Sequence, residues 1–222
     1  MGKDKLKRFK ENDTFTNLIQ PKIIFPFEDD KLKGNWKKSF FSNENPIVLE
    51  LGCGRGEYTL SLAAKFPNKN FIGVDWKGAR LWRGSKTAFE EKMLNVAFLR
   101  IQIQNISSFF AKDEVDEIWI TFPDPHILQS REKKRLTSLR FLNLYRQFMV
   151  QHGMVNLKTD NKPLYDYTHE VLTTEKCEVL ISSDDLYSKY EEDEILSIKT
   201  TYEKIWLKEG AKICYIKFRI NP

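Results

Sequence analysis

The sequence predicts one doubly wound α/β domain behind a polar N-terminal extension. Three observations predict it. From Ile47 onward short apolar runs alternate with longer amphipathic stretches, one run opens into glycines at every second position, and several runs end in a carboxylate. A parallel sheet with crossover helices has this texture, because its strands are buried on both faces and each helix presents one apolar face to them.

Residues 1–45 are polar and interrupted by Pro21, Pro26 and Gly34, so they read as an extension whose Ile23, Ile24, Phe25 and Phe27 dock on the main domain, 46–222. The expected strands are the short apolar runs Ile47–Leu51, Phe71–Val74, Val96–Ile101, Glu117–Phe122, Met154–Leu157, Glu178–Ser182 and Ile213–Phe218. Helices are expected where the stretches are longer and amphipathic, at Glu57–Phe66, Lys77–Met93, Ser138–Val150 and Pro163–Thr173. Seven strands with helices between most of them, the last two strands pairing antiparallel, make a Rossmann-like sheet.

Composition agrees and excludes other classes. Of 222 residues, 41% are hydrophobic and 13% aromatic, enough to build a core, so whole-chain disorder is a poor fit. Cys53, Cys177 and Cys214 show no CxxC pair and are too few for a disulfide framework or a structural zinc site. A reduced cytoplasm is the expected location, with no metal. No run approaches the roughly 18–20 apolar residues of a membrane span. The net charge of +5 decides little by itself. Its distribution says more: Lys3, Lys5, Lys7, Arg8 and Lys10 form one basic cluster and Arg131, Lys133, Lys134, Arg135 and Arg140 another, two candidate phosphate contacts. The first reads equally as a solvated tail.

The first strand runs into Glu50-Leu51-Gly52-Cys53-Gly54-Arg55-Gly56. In open parallel sheets ligands sit beyond the carboxyl ends of the strands, and Gly52, Gly54 and Gly56 remove side chains that would block a ligand there. The spacing is neither G-x-G-x-x-G nor a P-loop. Glu50 before the glycines suits a cationic amino-acid ligand and repels a pyrophosphate. The second strand ends at Asp75, where a carboxylate accepts ribose hydroxyls. Together they favour S-adenosylmethionine over a dinucleotide. Cys53 inside the motif reads as a packing residue.

The fourth strand ends in Phe122-Pro123-Asp124-Pro125-His126, so prolines hold Asp124 rigidly at the carboxyl edge. A second acid follows the next strand in Leu157-Lys158-Thr159-Asp160-Asn161. Two carboxylates beside a basic loop suit a guanine, since carboxylates accept from the donors on its pairing edge while cations hold phosphates. Asp160 reads alternatively as an N-cap, and Thr200 with Glu203 as a T-x-x-E capping box. His126 is expected to make a stacking or polar contact. The five tryptophans are expected as core or interface anchors.

These segments, with Phe71-Ile72-Gly73-Val74-Asp75, the basic tail ending Lys134-Arg135-Leu136-Thr137, and Thr200-Thr201-Tyr202-Glu203, resemble the TrmB-type tRNA (guanine-N7)-methyltransferases. The resemblance implies a class I methyltransferase sheet, monomeric or homodimeric, that modifies a guanosine in the variable loop of tRNA. It places cofactor contacts on Glu50, Asp75, Gln102 and Asp124, and substrate contacts on Asp160 and on Thr200, Tyr202 and Glu203. Arg131, Lys134 and Arg135 are expected on the tRNA backbone, and Asp124 as the catalytic residue. The chain departs from the family at Gln102, usually an acid, at His126, usually Trp, and at Leu128, usually Lys. Rival readings are a methyltransferase of another substrate and an inactive RNA-binding module on the same fold.

Overall fold

A computed structural model describes residues 2–22 and 28–220. Ile23, Ile24, Phe25 and Phe27, expected to dock, lie outside the described residues. The contacts group the chain into two compact units, 1–111 and 112–222, whereas the boundary after residue 45 follows composition.

In the first unit, β1 (Leu18–Ile19), β4 (Val96–Arg100), β3 (Asn70–Asp75) and β2 (Ile47–Leu51) lie side by side in that order, all parallel. Register places Glu50 opposite Gly73 and Asp75 opposite Arg100. The apolar runs become central strands because their side chains are shut off on both faces: Ile47, Leu49, Leu51, Ile72, Val74 and Phe98 are all fully buried. β1 was not foreseen. Two residues show no alternation, and the strand exists because Phe98 donates its N–H to Asn17 O at 2.7 Å.

The basic N-terminus is a helix, α1 (Gly2–Asn12), packed on α3 (Gly78–Glu90) and so not a solvated tail. Asn12 Nδ2 donates to Gly78 O at 2.9 Å, and a Cβ on Gly78 would lie 2.8 Å from the Phe9 ring, so glycine allows the close approach. Trp36, fully buried, donates from Nε1 to Phe109 O and stacks on Phe110, as expected of a core anchor.

In the second unit the order is β5 (Val115–Thr121), β6 (Met149–Thr159), β8 (Cys214–Arg219) and β7 (Glu178–Ser183). β5 and β6 are parallel, and β8 runs antiparallel to both β6 and β7. The helix expected to reach Val150 is only α4 (Leu139–Tyr145). Tyr145 is fully buried with its hydroxyl on Leu136 O, and β6 already pairs at Met149, which takes the intervening residues out of the helix. α5 (Lys162–Thr174) follows β6, and α6 (Leu186–Tyr190) and α7 (Thr201–Lys208) lie between β7 and β8.

Candidate functional site

At the carboxyl end of β2 the chain turns through Gly52, Gly54 and Gly56 into α2 (Glu57–Lys65). Gly54 and Gly56 take φ of 58° and 73°, conformations that cost an L-residue a Cβ clash. They differ in surroundings. A Cβ on Gly56 would meet the Phe98 ring at 2.5 Å, whereas one on Gly54, or on Gly52, would meet nothing within 4 Å. Gly56 is therefore required by packing, and the space over Gly52 and Gly54 is open for a ligand. Asp75 fixes the loop: Oδ2 accepts from Gly54 N at 3.0 Å and Oδ1 from Lys77 N at 2.8 Å. Each oxygen keeps a second lone pair for a hydroxyl donor.

Glu50 is 4% exposed, and its Oε2 accepts from Thr59 N at 2.8 Å and from the Thr59 hydroxyl. A carboxylate here satisfies one of the unpaired N–H groups in the first turn of α2. The Cys53 thiol is pushed well up by burial and by the charges of Glu50 and Asp75, which keeps it a protonated packing group. Gln102 is exposed, with its carbonyl accepting from Gln104 Nε2 at 2.7 Å. Trp76, directly after Asp75, is 59% exposed, against the expectation that the tryptophans are anchors.

In the second unit β5 delivers Asp124 on a turn with two non-glycine residues at positive φ, Phe122 at 49° and His126 at 42°. The Asp124 side chain is 74% exposed; its Oδ1 accepts from His126 N at 3.2 Å and lies 3.6 Å from His126 Nδ1. The Phe122 end of the turn is held by its N–H on Lys158 O and by its ring against Trp206 at 5.1 Å. Trp206 in turn stacks on Tyr202, which is 55% exposed.

Asp160 is exposed at the end of β6, and the N-cap of α5 is Asn161, whose side chain accepts from Leu164 N at 2.9 Å. Thr200 and Glu203 do form the capping box of α7. Glu203 departs from its expected substrate contact: it is fully buried, pairs with Lys158 Nζ at 2.8 Å and accepts from the Tyr187 hydroxyl. A carboxylate whose partners all lie inside the fold offers a substrate only the placement of α7. Lys158 also donates to Leu196 O at 3.1 Å and Ile198 O at 2.8 Å. Burial pushes its ammonium down and the Glu203 charge opposes that. Sequence reasoning missed this lysine, because it ended the strand at Leu157, whereas β6 runs on to Thr159 and carries Lys158 into the interior.

Arg131, Lys133 and Lys134 lie exposed on and beside a 3-10 turn, Gln129–Lys134. Arg135 is half-buried, against the expectation that it contacts tRNA: its guanidinium donates to His126 O and Ile127 O at 3.3 Å and stacks over Tyr167. Leu128 is 61% exposed. No group of three or more His, Cys, Asp or Glu among the described residues is arranged to hold a metal ion, and no helix among them is long and apolar enough to cross a membrane.

Residues 44–216 match the family described as putative methyltransferase. Solved structures similar to this chain include the 16S rRNA methyltransferase KamB, with a TM-score of 0.64 at 14% identity over 88% of this chain and 96% of that one. Another is a Haemonchus contortus phosphoethanolamine N-methyltransferase in complex with S-adenosylmethionine, with a TM-score of 0.52 at 12% identity over 100% of this chain and 53% of that one. At such identities the likeness is one of fold, that of class I methyltransferases. The tRNA (guanine-N(7)-)-methyltransferase of Christiangramia forsetii is 51% identical over 99% of each chain, and that of Cytophaga hutchinsonii 48% over the whole of each. With glycines open to a ligand above Asp75 and similarity running the length of the chain, this protein belongs to the tRNA (guanine-N7)-methyltransferase family.

Proposed function

We propose that this protein is an enzyme that transfers a methyl group from S-adenosylmethionine to N7 of a guanosine in the variable loop of tRNA. The full-length relationship to enzymes named for that reaction supports the reading, and the observation in this molecule that carries it is Asp124, an exposed carboxylate on a proline-braced turn. Gly52, Gly54 and Gly56 shape the cofactor's place, with Glu50, Asp75 and Gln102 around it. The open space over Gly52 and Gly54 and the spare lone pairs of Asp75 fit such a ligand. When bound, S-adenosylmethionine supplies a methyl group activated on a sulfonium.

Guanine N7 carries a lone pair and no proton. The new N–CH3 bond takes that pair, the S–CH3 bonding pair stays on sulfur, and the purine becomes cationic, so no residue need remove a proton. Positioning and charge are what the chain contributes. Asp124 orients the base and offsets the developing positive charge. Asp160, Thr200 and Tyr202 meet the substrate, Tyr202 by its exposed ring, and Glu203 sets the helix that Thr200 caps and that carries Tyr202. Arg131 and Lys134 hold phosphates. The enzyme acts in the cytoplasm as a monomer or homodimer.

Incubation with unmodified tRNA and methyl-labelled cofactor, followed by nucleoside analysis, tests the reading. Label in 7-methylguanosine is expected. Label in another nucleoside, or in none despite cofactor binding, returns the protein to the rival readings of another substrate or an inactive RNA-binding module.

A further inference from the structure

We propose that Arg135 is a positioning residue for the turn that carries Asp124, and not a phosphate contact; this rests on the proposed methylation at guanine N7. The side chain departs from its neighbours in what it touches. Arg131, Lys133 and Lys134 are exposed, whereas Arg135 turns inward. Its Nε and Nη2 both donate to His126 O and its Nη2 also to Ile127 O, all at 3.3 Å. The guanidinium carbon lies 4.1 Å from the centre of the Tyr167 ring, and the Tyr167 hydroxyl donates to Glu132 Oε1 at 3.0 Å.

The turn needs such a clasp. His126 and Phe122 hold positive φ without being glycine, a state that persists only where surrounding contacts over-determine it. At the Phe122 end the contacts are Lys158 O and Trp206. At the His126 end, the N–H is taken by Asp124 itself and the C=O by Arg135. Asp124 and Arg135 thus grip opposite sides of one residue. Tyr167 lies on α5, the helix that begins after Asp160, so the same guanidinium ties the Asp124 turn to the element that follows the second carboxylate. Only a planar fork both stacks on a ring and reaches two successive carbonyls; an ammonium does one or the other.

The test compares Arg135→Ala, Arg135→Lys and a triple Arg131/Lys133/Lys134→Ala variant in three measurements. These are kcat and KM for tRNA, the slope of log binding constant against log salt, and hydrogen exchange of the amides of Asp124, His126, Ile127 and Leu128. For Arg135→Ala we expect kcat at saturating tRNA to fall at least about tenfold, faster exchange across the turn, and a wild-type salt slope; the triple variant flattens that slope by about 2 to 3. Arg135→Lys, which keeps the charge, is expected to leave kcat low. Should Arg135→Ala fold poorly, Tyr167→Leu removes the stack and is expected to lower kcat with the slope intact. A slope reduced by about one with wild-type kcat would make Arg135 a phosphate contact and overturn the proposal. Full rescue by lysine, or unchanged exchange and kcat, would overturn it as well. If the wild-type protein makes no 7-methylguanosine, the reading of function falls, while the exchange comparison still decides whether Arg135 holds the turn.

Discussion

Lys158 Nζ and Glu203 Oε1 stand 2.8 Å apart with both side chains wholly shut off from solvent. Lys158 sits two residues before Asp160 at the end of β6, and Glu203 closes the capping box of α7 with Thr200. One buried ion pair therefore fixes the helix carrying Tyr202 relative to the strand carrying Asp160. The Leu196 and Ile198 carbonyls and the Tyr187 hydroxyl also accept from Lys158.

Breaking that pair leaves an uncompensated charge in the interior. Lys158→Met should cost about 3–5 kcal/mol in urea unfolding, and Lys158→Met combined with Glu203→Gln should recover part of it by removing the stranded carboxylate. Equal loss in the single and double variants would show that the charge pair is not what holds α7.

The glycine loop separates packing from ligand space. Gly56→Ala should destabilise the fold by about 2–4 kcal/mol, from the left-handed backbone and the collision with Phe98 together. Gly54→Ala carries the backbone cost alone, about 1–2 kcal/mol, but its methyl enters the open space. Calorimetry should therefore find S-adenosylmethionine binding weakened at Gly54→Ala beyond what the stability change accounts for. Asp75→Ala should weaken it by about 1.5–3 kcal/mol, from the lost charge-assisted acceptor and the loosened Gly54 N–H. Wild-type cofactor affinity in both variants would move the cofactor elsewhere.

Asp124→Asn keeps shape and one acceptor while removing the charge. Turnover should fall on the order of a hundredfold or more with cofactor affinity nearly intact, as when a preorganised stabilising group is lost. Activity should be flat between about pH 6 and 9, because no base is required and the thiols do not ionise there. Burial raises Cys53, Cys177 and Cys214, the last to about 11. A bell centred on a histidine-like pKa that disappears in His126→Ala would transfer the catalytic role to His126.

At alkaline pH the tyrosines should limit stability. Burial raises the phenols of Tyr145, Tyr187 and Tyr215, and burial followed by the Glu132 bond raises Tyr167 to about 12. Between the usual tyrosine value near 10 and the folded value, the native state holds more protons than the unfolded one, so stability falls as pH rises through that window. Absorbance at 295 nm should show these four ionising late, together with loss of structure. Reversible titration of all eight tyrosines near pH 10 with the fold intact would contradict it.

What the sequence by itself determined is whatever depends on neighbours along the chain. The alternation of apolar runs and amphipathic stretches prescribed the central strands, and the glycines and the acid after a buried strand marked the cofactor end, because turn geometry and strand ends are local properties. The T-x-x-E capping box was equally legible, since its two hydrogen bonds close within four residues. Tertiary structure alone decided what long side chains reach. It turned Glu203 inward to Lys158, gave the α5 N-cap to Asn161 and left Asp160 exposed, and folded Arg135 onto His126 O and Tyr167 while the cations beside it stayed in water. It also made Leu18–Ile19 a strand by supplying β4 as its partner. A flexible charged side chain finds its partner by proximity in space, and composition and spacing do not encode that proximity.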